Sequence, residues 1–316
     1  MLKYIFMGTP PFAATILQTL CEKLYPPAAV VTQISKATGR GHKVQSSAVE
    51  QYARTQNLNI FETLDVNQPH TFDVLKTFHP DLILVAAFGQ ILRQEVLTLP
   101  RLYCLNVHGS LLPQYRGAAP VHRAIWNGDR ETGITIQKMA KKLDTGDILV
   151  QRKIAITDDE TTDTLMNRLA ALGGDCLIEA IELIEKGNPN FVPQNENQAT
   201  YAKKIAKEDS KLDWTLSATA LRNQIRALQP WPIAEATLTA DGGPPARIKI
   251  FDAVAVSATG EPGTISSDGK ASLIVYCGDN TGLSLTAIQP ENRKRTDVKG
   301  YLNSFRGRFP YRKANG

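Results

Sequence analysis

Short apolar runs punctuated by turn residues organise the first half of the chain. Lys3–Met7 (KYIFM) reads as a strand and runs into a Gly8-Thr9-Pro10 turn. Phe12, Ile16, Leu20 and Leu24 then recur at helical spacing, which predicts a helix over 12–24. Ala28–Ile34 is a second strand. Strand, turn, helix, strand is the opening of a parallel, doubly wound sheet. Asp81–Ala86 (DLILVA) and Leu102–Val107 are apolar runs of buried-strand length, and Ile134–Met139 with Ile148–Ile156 complete the sheet. Thr161–Lys186 is expected as a long helix, with Asp159 or Thr161 as its N-cap and Gly187 as its C-cap.

The pattern changes after Gly187. NPNFVPQNENQAT is polar and turn-rich and reads as a linker. Leu216–Leu228 follows as a helix ended by Gln-Pro-Trp-Pro. Strand candidates then crowd together at Ile233–Leu238, Arg247–Val256, Gly263–Ser266, Ala271–Tyr276 and Leu283–Ile288. Several short strands at close spacing predict a small antiparallel barrel. The expected architecture is therefore α/β: a doubly wound, mostly parallel, Rossmann-like domain over 1–188, a linker over 189–208, and an antiparallel barrel over 209–316.

Composition adds further constraints. With 316 residues and 42% hydrophobic content there is ample apolar material for two cores. No run approaches the length of a membrane span, and the apolar stretch before Gly8 is too short for a secretory signal. Cys21, Cys104, Cys176 and Cys277 lie far apart with no CxxC, so they read as buried thiols in a reducing, cytoplasmic setting. The net charge is +5, but it is concentrated. Residues 293–316 carry eight basic side chains, Arg293, Lys294 and Arg295 among them, against the single acid Asp297. That is +7 in the last segment and about −2 in the rest. A basic tail on a near-neutral body suits either a polyanionic partner or a solvated end that favours solubility. Lys36–Lys43 is a second basic stretch, whose Arg40 and Lys43 could follow a phosphate backbone or simply occupy a surface loop.

The chemistry concentrates between Leu105 and Ile148. Asn106 and His108 are two residues apart, so on a strand they share one face. They stand at that strand's carboxyl end, where open α/β sheets bind ligands. The run GSLLPQYRGAAP after them has too much Gly and Pro for a helix and is too apolar for a solvated loop, as expected of a packed functional loop. Asp144 follows in LDTGD, where it is either a turn residue or the carboxylate that orients an imidazole. An amide donor, a base and a carboxylate are the parts needed to move an acyl group onto an amine. No His, Cys and Asp set has metal-ligand spacing, and Gly8-Thr9-Pro10 lacks the dinucleotide fingerprint GxGxxG.

Taken together, FMGTPPFA, TGRGHK, AAFGQIL, NVHGSLLPQYRGAAP, ETGITIQKM, LDTGDIL, YAKKIAKEDSKLDW and IRALQPWP, in this order, resemble the formyltransferases that use 10-formyltetrahydrofolate. The likeness covers nearly the whole chain and is closest to the members that act on methionyl-tRNA. It implies that Asn106, His108 and Asp144 carry formyl transfer to the α-amine of initiator methionyl-tRNA, without a metal. It implies a folate site formed largely by backbone around Phe88, Gly89, Gln90, Ile91 and Leu92, with Ser110, Leu111, Leu112, Pro113, Lys138 and Leu143 beside it. It also implies that Arg40 and Lys43 of the first loop, Lys204 and Lys207 of the linker, and Arg293, Lys294 and Arg295 of an oligonucleotide-binding-type barrel meet tRNA. Arg93 and Lys142 depart from the family pattern and bear on folate affinity.

Three rival readings share some of these features. A formyltransferase for an amino-sugar nucleotide has the same first-domain motifs, but its acceptor offers only two phosphates to the basic segments. Formylation of glycinamide ribonucleotide leaves the second domain without a purpose. A non-catalytic RNA-binding protein would not need an intact Asn106, His108 and Asp144. With no apolar stripe marking an interface, a monomer is expected.

Overall fold

The KYIFM run forms β1 (Tyr4–Gly8), all five residues of which are buried. Pro11 then opens α1 (Pro11–Lys23), where its missing N–H costs nothing. In the computed structural model the described residues are 1–34, 46–240, 244–305 and 309–316, with the backbone alone of 37–38 and 43–44. Arg40 and the side chain of Lys43 lie outside the described residues, as do Arg306 and Arg308 of the basic tail. The chain divides into two compact units. One comprises Met1–Pro120, Glu131–Ala155 and Met166–Ala202; the other comprises Val121–Arg130, Ile156–Leu165 and Lys203–Gly316.

The first unit continues through β2 (Ala29–Gln33), the short strands β3 (Ala37–Thr38) and β4 (Lys43–Val44), α2 (Ala48–Thr55), β5 (Ile60–Thr63), α3 (Pro69–Thr77), β6 (Leu82–Ala86), α4 (Gln94–Leu97), β7 (Tyr103–His108) and β8 (Arg116–Gly117). After α5 (Pro120–Asn127) come β9 (Glu131–Lys138), β10 (Ile148–Ala155), α6 (Thr162–Glu185) and β11 (Tyr201–Ala202). Seven strands form one sheet in the order β10-β9-β7-β6-β1-β2-β5. Five of them are parallel, while β9 and β10 add on antiparallel, so the sheet is mostly parallel as expected. Ile5, Met7, Val31, Ile83, Val85 and Cys104 from the parallel strands share one core cluster with Phe88 and Leu92.

The helix expected over 161–186 is α6. Thr161 supplies its cap: the hydroxyl accepts from the Thr164 N–H at 3.4 Å, while Asp159 bonds Thr157 instead. At the far end Gly187 adopts φ 72°, the Gly187 N–H reaches Ile184 and the Asn188 N–H reaches Leu183. That pair of bonds is the left-handed glycine stop of a helix. The pattern reading passed over β5, α2, α3 and α5, whose buried faces are short. The segment over 189–208 is not a free linker: residues up to Ala202 pack within the first unit, and β11 pairs with β8. All four cysteines are unpaired; Cys104, Cys176 and Cys277 are buried, but Cys21 is only half-buried.

In the second unit α7 (Ala218–Ala227) packs on β13 (Ala246–Ser257) and β16 (Thr281–Pro290). With β12 (Ala234–Thr239), β14 (Ile265–Ser267), β15 (Leu273–Cys277) and β18 (Lys313–Asn315), these strands form a sheet ordered β14-β15-β16-β13-β12-β18. The short β17 (Thr296–Asp297) pairs off β16 and leads into α8 (Val298–Asn303). The two ends of the sheet meet: the Ile265 N–H donates to the Arg312 carbonyl (2.8 Å) and the Ala314 N–H to the Gly263 carbonyl (2.7 Å). The result is the nearly closed antiparallel barrel that the closely spaced strands predicted. β13 spans 12 residues and shifts register between Ile250 and Ala253, the local irregularity by which a long strand turns a corner.

Candidate active site

β7 ends in Asn106-Val107-His108, and its pleat puts Asn106 and His108 on one face. His108 is 6% exposed. Its Nε2 lies 2.9 Å from the Tyr115 carbonyl oxygen. A carbonyl can only accept, so that nitrogen carries a proton. The other nitrogen, Nδ1, faces Asp144 Oδ1 at 3.6 Å, longer than a hydrogen bond. The Asn106 amide makes no hydrogen bond with any described residue, so its N–H groups remain available.

Asp144 is held from two sides. The Gly117 N–H donates to Oδ2 at 2.8 Å, and Gln137 Nε2 donates to Oδ1 at 3.0 Å. Gln137 lies directly opposite Asn106 in the β7–β9 register, so strand pairing delivers it. Tyr115 and Asp144 both adopt left-handed backbone, φ 59° and 53°. Non-glycine residues take that conformation at a cost, and surrounding contacts must hold them there. The LDTGD turn needs its glycine for a different reason. A Cβ on Gly146 would sit 1.6 Å from the Lys138 carbonyl oxygen.

The GSLLPQYRG loop is fixed by polar side chains beneath it. Thr135 Oγ1 donates to the Ser110 carbonyl (2.7 Å) and accepts from the Leu112 N–H (3.1 Å). Gln151 donates to the Leu112 carbonyl at 3.0 Å. The Leu112–Pro113 peptide is cis. Further on, the Tyr115 N–H donates to Thr200 Oγ1 and the Arg116 N–H to the Thr200 carbonyl, both at 2.8 Å.

Arg116 is 1% exposed. Its guanidinium donates to Glu196 at 2.9 and 2.6 Å and to Gln194 Oε1 at 3.1 and 2.8 Å. The Glu196 carboxylate beside it raises the Arg116 pKa, and Arg116 in turn lowers that of Glu196. Gln194 then turns its amide N–H groups onto the carbonyls of Asp144 (2.9 Å) and Gly146 (2.7 Å). Arg116, Gln137, Gln194 and Glu196 were not read as site residues. A buried arginine demands acceptors, but no pattern in the polar 189–202 stretch says that it supplies them.

The residues expected around folate fall into two groups. Phe88, Leu92, Ser110 and Leu112 are buried, so only their backbone can meet a ligand. The Phe88 carbonyl already accepts from Gln33 (2.6 Å) and Thr9 (3.1 Å). Gln90 spends its side chain on Val66 N–H and the Leu64 carbonyl. Gly89 takes φ 79°, and an added Cβ there would meet Gln33 Nε2 at 2.5 Å. Leu111 and Pro113 are half-buried. Ile91 (76% exposed) and Leu143 (61%) are the apolar side chains left open. Lys138 Nζ lies 5.5 Å over the Tyr103 ring, which packs on Phe191. In the second unit Lys204, Lys207, Arg293, Lys294 and Arg295 are exposed, and Arg295 stacks over Phe251 at 4.5 Å. Among the described residues no three His, Cys, Asp or Glu side chains gather as a metal site.

A doubly wound sheet with an amide, an imidazole and a carboxylate at one strand end, followed by a small barrel, matches a known protein class. Residues 2–181 match the formyl transferase family and residues 204–306 its C-terminal domain, and the chain belongs to that family. It is 40% identical over 303 residues to the methionyl-tRNA formyltransferase of Methylococcus capsulatus, covering 96% of this chain and 97% of that one. With the methionyl-tRNA formyltransferase of Caldanaerobacter subterraneus the identity is 42% over 304 residues, covering 95% and 96%. Among solved structures, the sugar 3N-formyl transferase WlaRD, in the presence of dTDP and 5-N-formyl-THF, shares the fold with a TM-score of 0.67 at 19% identity over 93% and 99% of the two chains. HypX from Aquifex aeolicus in complex with tetrahydrofolic acid does so at 0.61 and 17%, over 99% of this chain and 50% of that one.

Proposed function

We infer that this protein transfers the formyl group of 10-formyltetrahydrofolate to the α-amine of methionine carried by initiator tRNA. The observation that carries the reading is the seat of His108 between the Tyr115 carbonyl and Asp144, one strand pleat from an unengaged Asn106 amide, in a chain about 40% identical to methionyl-tRNA formyltransferases. The amine attacks the formyl carbon and its C=O becomes an oxyanion. Asn106 donates an N–H to that oxygen, an interaction typically worth about 3 kcal/mol. His108 takes the proton released by the amine, and Asp144 stabilises the imidazolium so formed. The bond from the formyl carbon to N10 of the folate breaks, N10 takes the proton from His108, and tetrahydrofolate leaves.

The folate lies against the backbone of 88–92 and of the 110–113 loop. Exposed Ile91 and Leu143 offer it apolar surface, and Lys138 closes the strand that leads into the turn carrying Leu143. The tRNA is met by Arg40, Lys43, Lys204, Lys207 and the Arg293–Arg295 turn. With a tRNA acceptor the reaction belongs to the cytoplasm; among the described residues no helix is long and apolar enough to cross a membrane.

The test is formyl transfer from 10-formyltetrahydrofolate with charged initiator methionyl-tRNA and UDP-amino-arabinose offered together. Formylated tRNA alone is expected. Transfer to the sugar alone keeps the chemistry and overturns the acceptor. Folate binding with transfer to neither points to a binding protein. His108→Ala and Asp144→Asn should each lower turnover by about 10²–10⁴-fold while tRNA binding stays near wild type; near wild-type turnover in either sinks the assignment.

A further inference from the structure

The segment 194–200 holds both neighbours of His108. From one end Gln194 donates to the carbonyls of Asp144 and Gly146 at 2.9 and 2.7 Å. From the other, Thr200 accepts the Tyr115 N–H at 2.8 Å, and its N–H donates to the Pro113 carbonyl at 3.2 Å. Tyr115 is the residue whose carbonyl takes His108 Nε2. Gln194 is itself locked, because Arg116 gives its Oε1 two hydrogen bonds and Glu196 anchors Arg116. Both residues so gripped, Tyr115 and Asp144, sit in left-handed backbone, which side-chain residues favour only when contacts hold it.

We propose that Gln194 is a positioning residue for formyl transfer: locked by Arg116, it holds the 144–146 turn so that Asp144 faces His108, while Thr200 of the same segment sets the Tyr115 carbonyl on the ring's other nitrogen. The amide is the right group for this task. Its oxygen serves the arginine and its nitrogen serves two carbonyls, whereas a carboxylate has no donor and a hydroxyl only one. Gln137 completes the seat by donating to Asp144 Oδ1. Neither Gln194 nor Arg116 reaches the reacting atoms, so their effect falls on the geometry of the Asp144–His108 pair. A misplacement of about 1 Å at such a pair costs on the order of 100-fold in rate.

The turnover arm of the test rests on the formyl-transfer reading; a second arm does not. Gln194→Ala removes both the acceptor for Arg116 and the donors to Asp144 and Gly146. Gln194→Glu keeps the acceptor for Arg116, removes the N–H groups aimed at Asp144 and Gly146 and sets a carboxylate oxygen against those two carbonyls. Expected for both is a fall in kcat of about 10–100-fold, with KM for folate and for tRNA unchanged. In the ligand-free protein, the ring ¹⁵N resonances of His108 should move in both variants while those of His79 stay in place. If wild type formylates no acceptor, the reading of function falls and the resonance arm decides the positioning role alone. Unchanged His108 resonances, or a lowered thermal transition with wild-type kcat, overturn the proposal and leave Gln194 a purely structural residue. If Gln194→Ala does not fold, Gln194→Glu carries both arms.

Discussion

His108 and His122 lie on either side of the RGAAP run and are kept in contrasting environments. His108 has an acceptor facing each ring nitrogen. His122, in the second unit, has a buried Nδ1 with no hydrogen-bond partner among the described residues. Burial first, and then the Arg123 charge, push the His122 pKa down to about 4. Arg123 is itself occupied, with Asp209 at 3.6 Å and the Trp126 ring at 4.8 Å. His122 is therefore neutral in the folded chain at pH 7 and protonates near pH 6.5 only when unfolded. Between about pH 6.5 and about pH 4 the unfolded state binds the extra proton, so stability from this group is full above that window and is lost as pH falls through it. His122→Gln should flatten the loss of stability across that window by on the order of 3 kcal/mol, read from denaturant unfolding at several pH values. An unaltered slope would show that His122 is solvated. Unlike the Asn106–His108 pair, which a two-residue spacing and a strand made legible, this histidine carries no sequence signal of its burial.

At the scale of elements, α6 is the helix whose amino acids conflict with its propensity. Gly173 and Gly174 stand in the middle of a 24-residue helix, where each costs about 1 kcal/mol relative to alanine. The packing explains them. A Cβ on Gly173 would lie 3.1 Å from Val107 and 3.3 Å from Ile16, and one on Gly174 would lie 2.6 Å from the Cβ of Thr19 on α1. The second contact is to an atom fixed by the backbone, so no rotamer change relieves it. Gly174→Ala is expected to lower the thermal transition despite alanine's better helix propensity, because α1 and α6 must separate. A raised transition would mean the two helices yield freely. Gly173 also lies against Val107, between Asn106 and His108, so a shift of α6 reaches the strand that carries the site. The pattern of apolar residues predicted α6 and its stop at Gly187; it could not say why two glycines interrupt it, since the answer lies on α1 and β7.

For the whole chain the deciding property is where charge accumulates. A net +5 is modest, yet the last 24 residues carry +7. In the barrel unit Arg293, Lys294 and Arg295 stand exposed on the turn between β16 and β17, with Arg295 supported by the Phe251 ring. Converting all three to alanine should weaken tRNA binding and reduce the slope of log K against log salt by up to about 3, with formyl transfer at saturating tRNA retained. An unchanged slope would remove this turn from the interface. Because the turn belongs to the second unit and the Asn106–His108–Asp144 seat to the first, turnover at saturation and salt slope are separate readouts.

By itself the sequence determined the mostly parallel sheet, the long helix α6 and the small barrel, and it set Asn106 and His108 on one face of β7. These are written in local periodicity, in turn residues and in motifs that a short window contains. Tertiary structure alone decided what surrounds Asn106, His108 and Asp144. The antiparallel approach of β9 set Gln137 opposite Asn106, and a stretch that reads as a polar linker folded back to place Gln194, Glu196 and Thr200 under the LDTGD and QYRG turns. Hydrogen bonds between residues some 50 to 85 positions apart leave no periodic trace, since a polar side chain in a polar segment looks the same whether it meets water or a buried arginine.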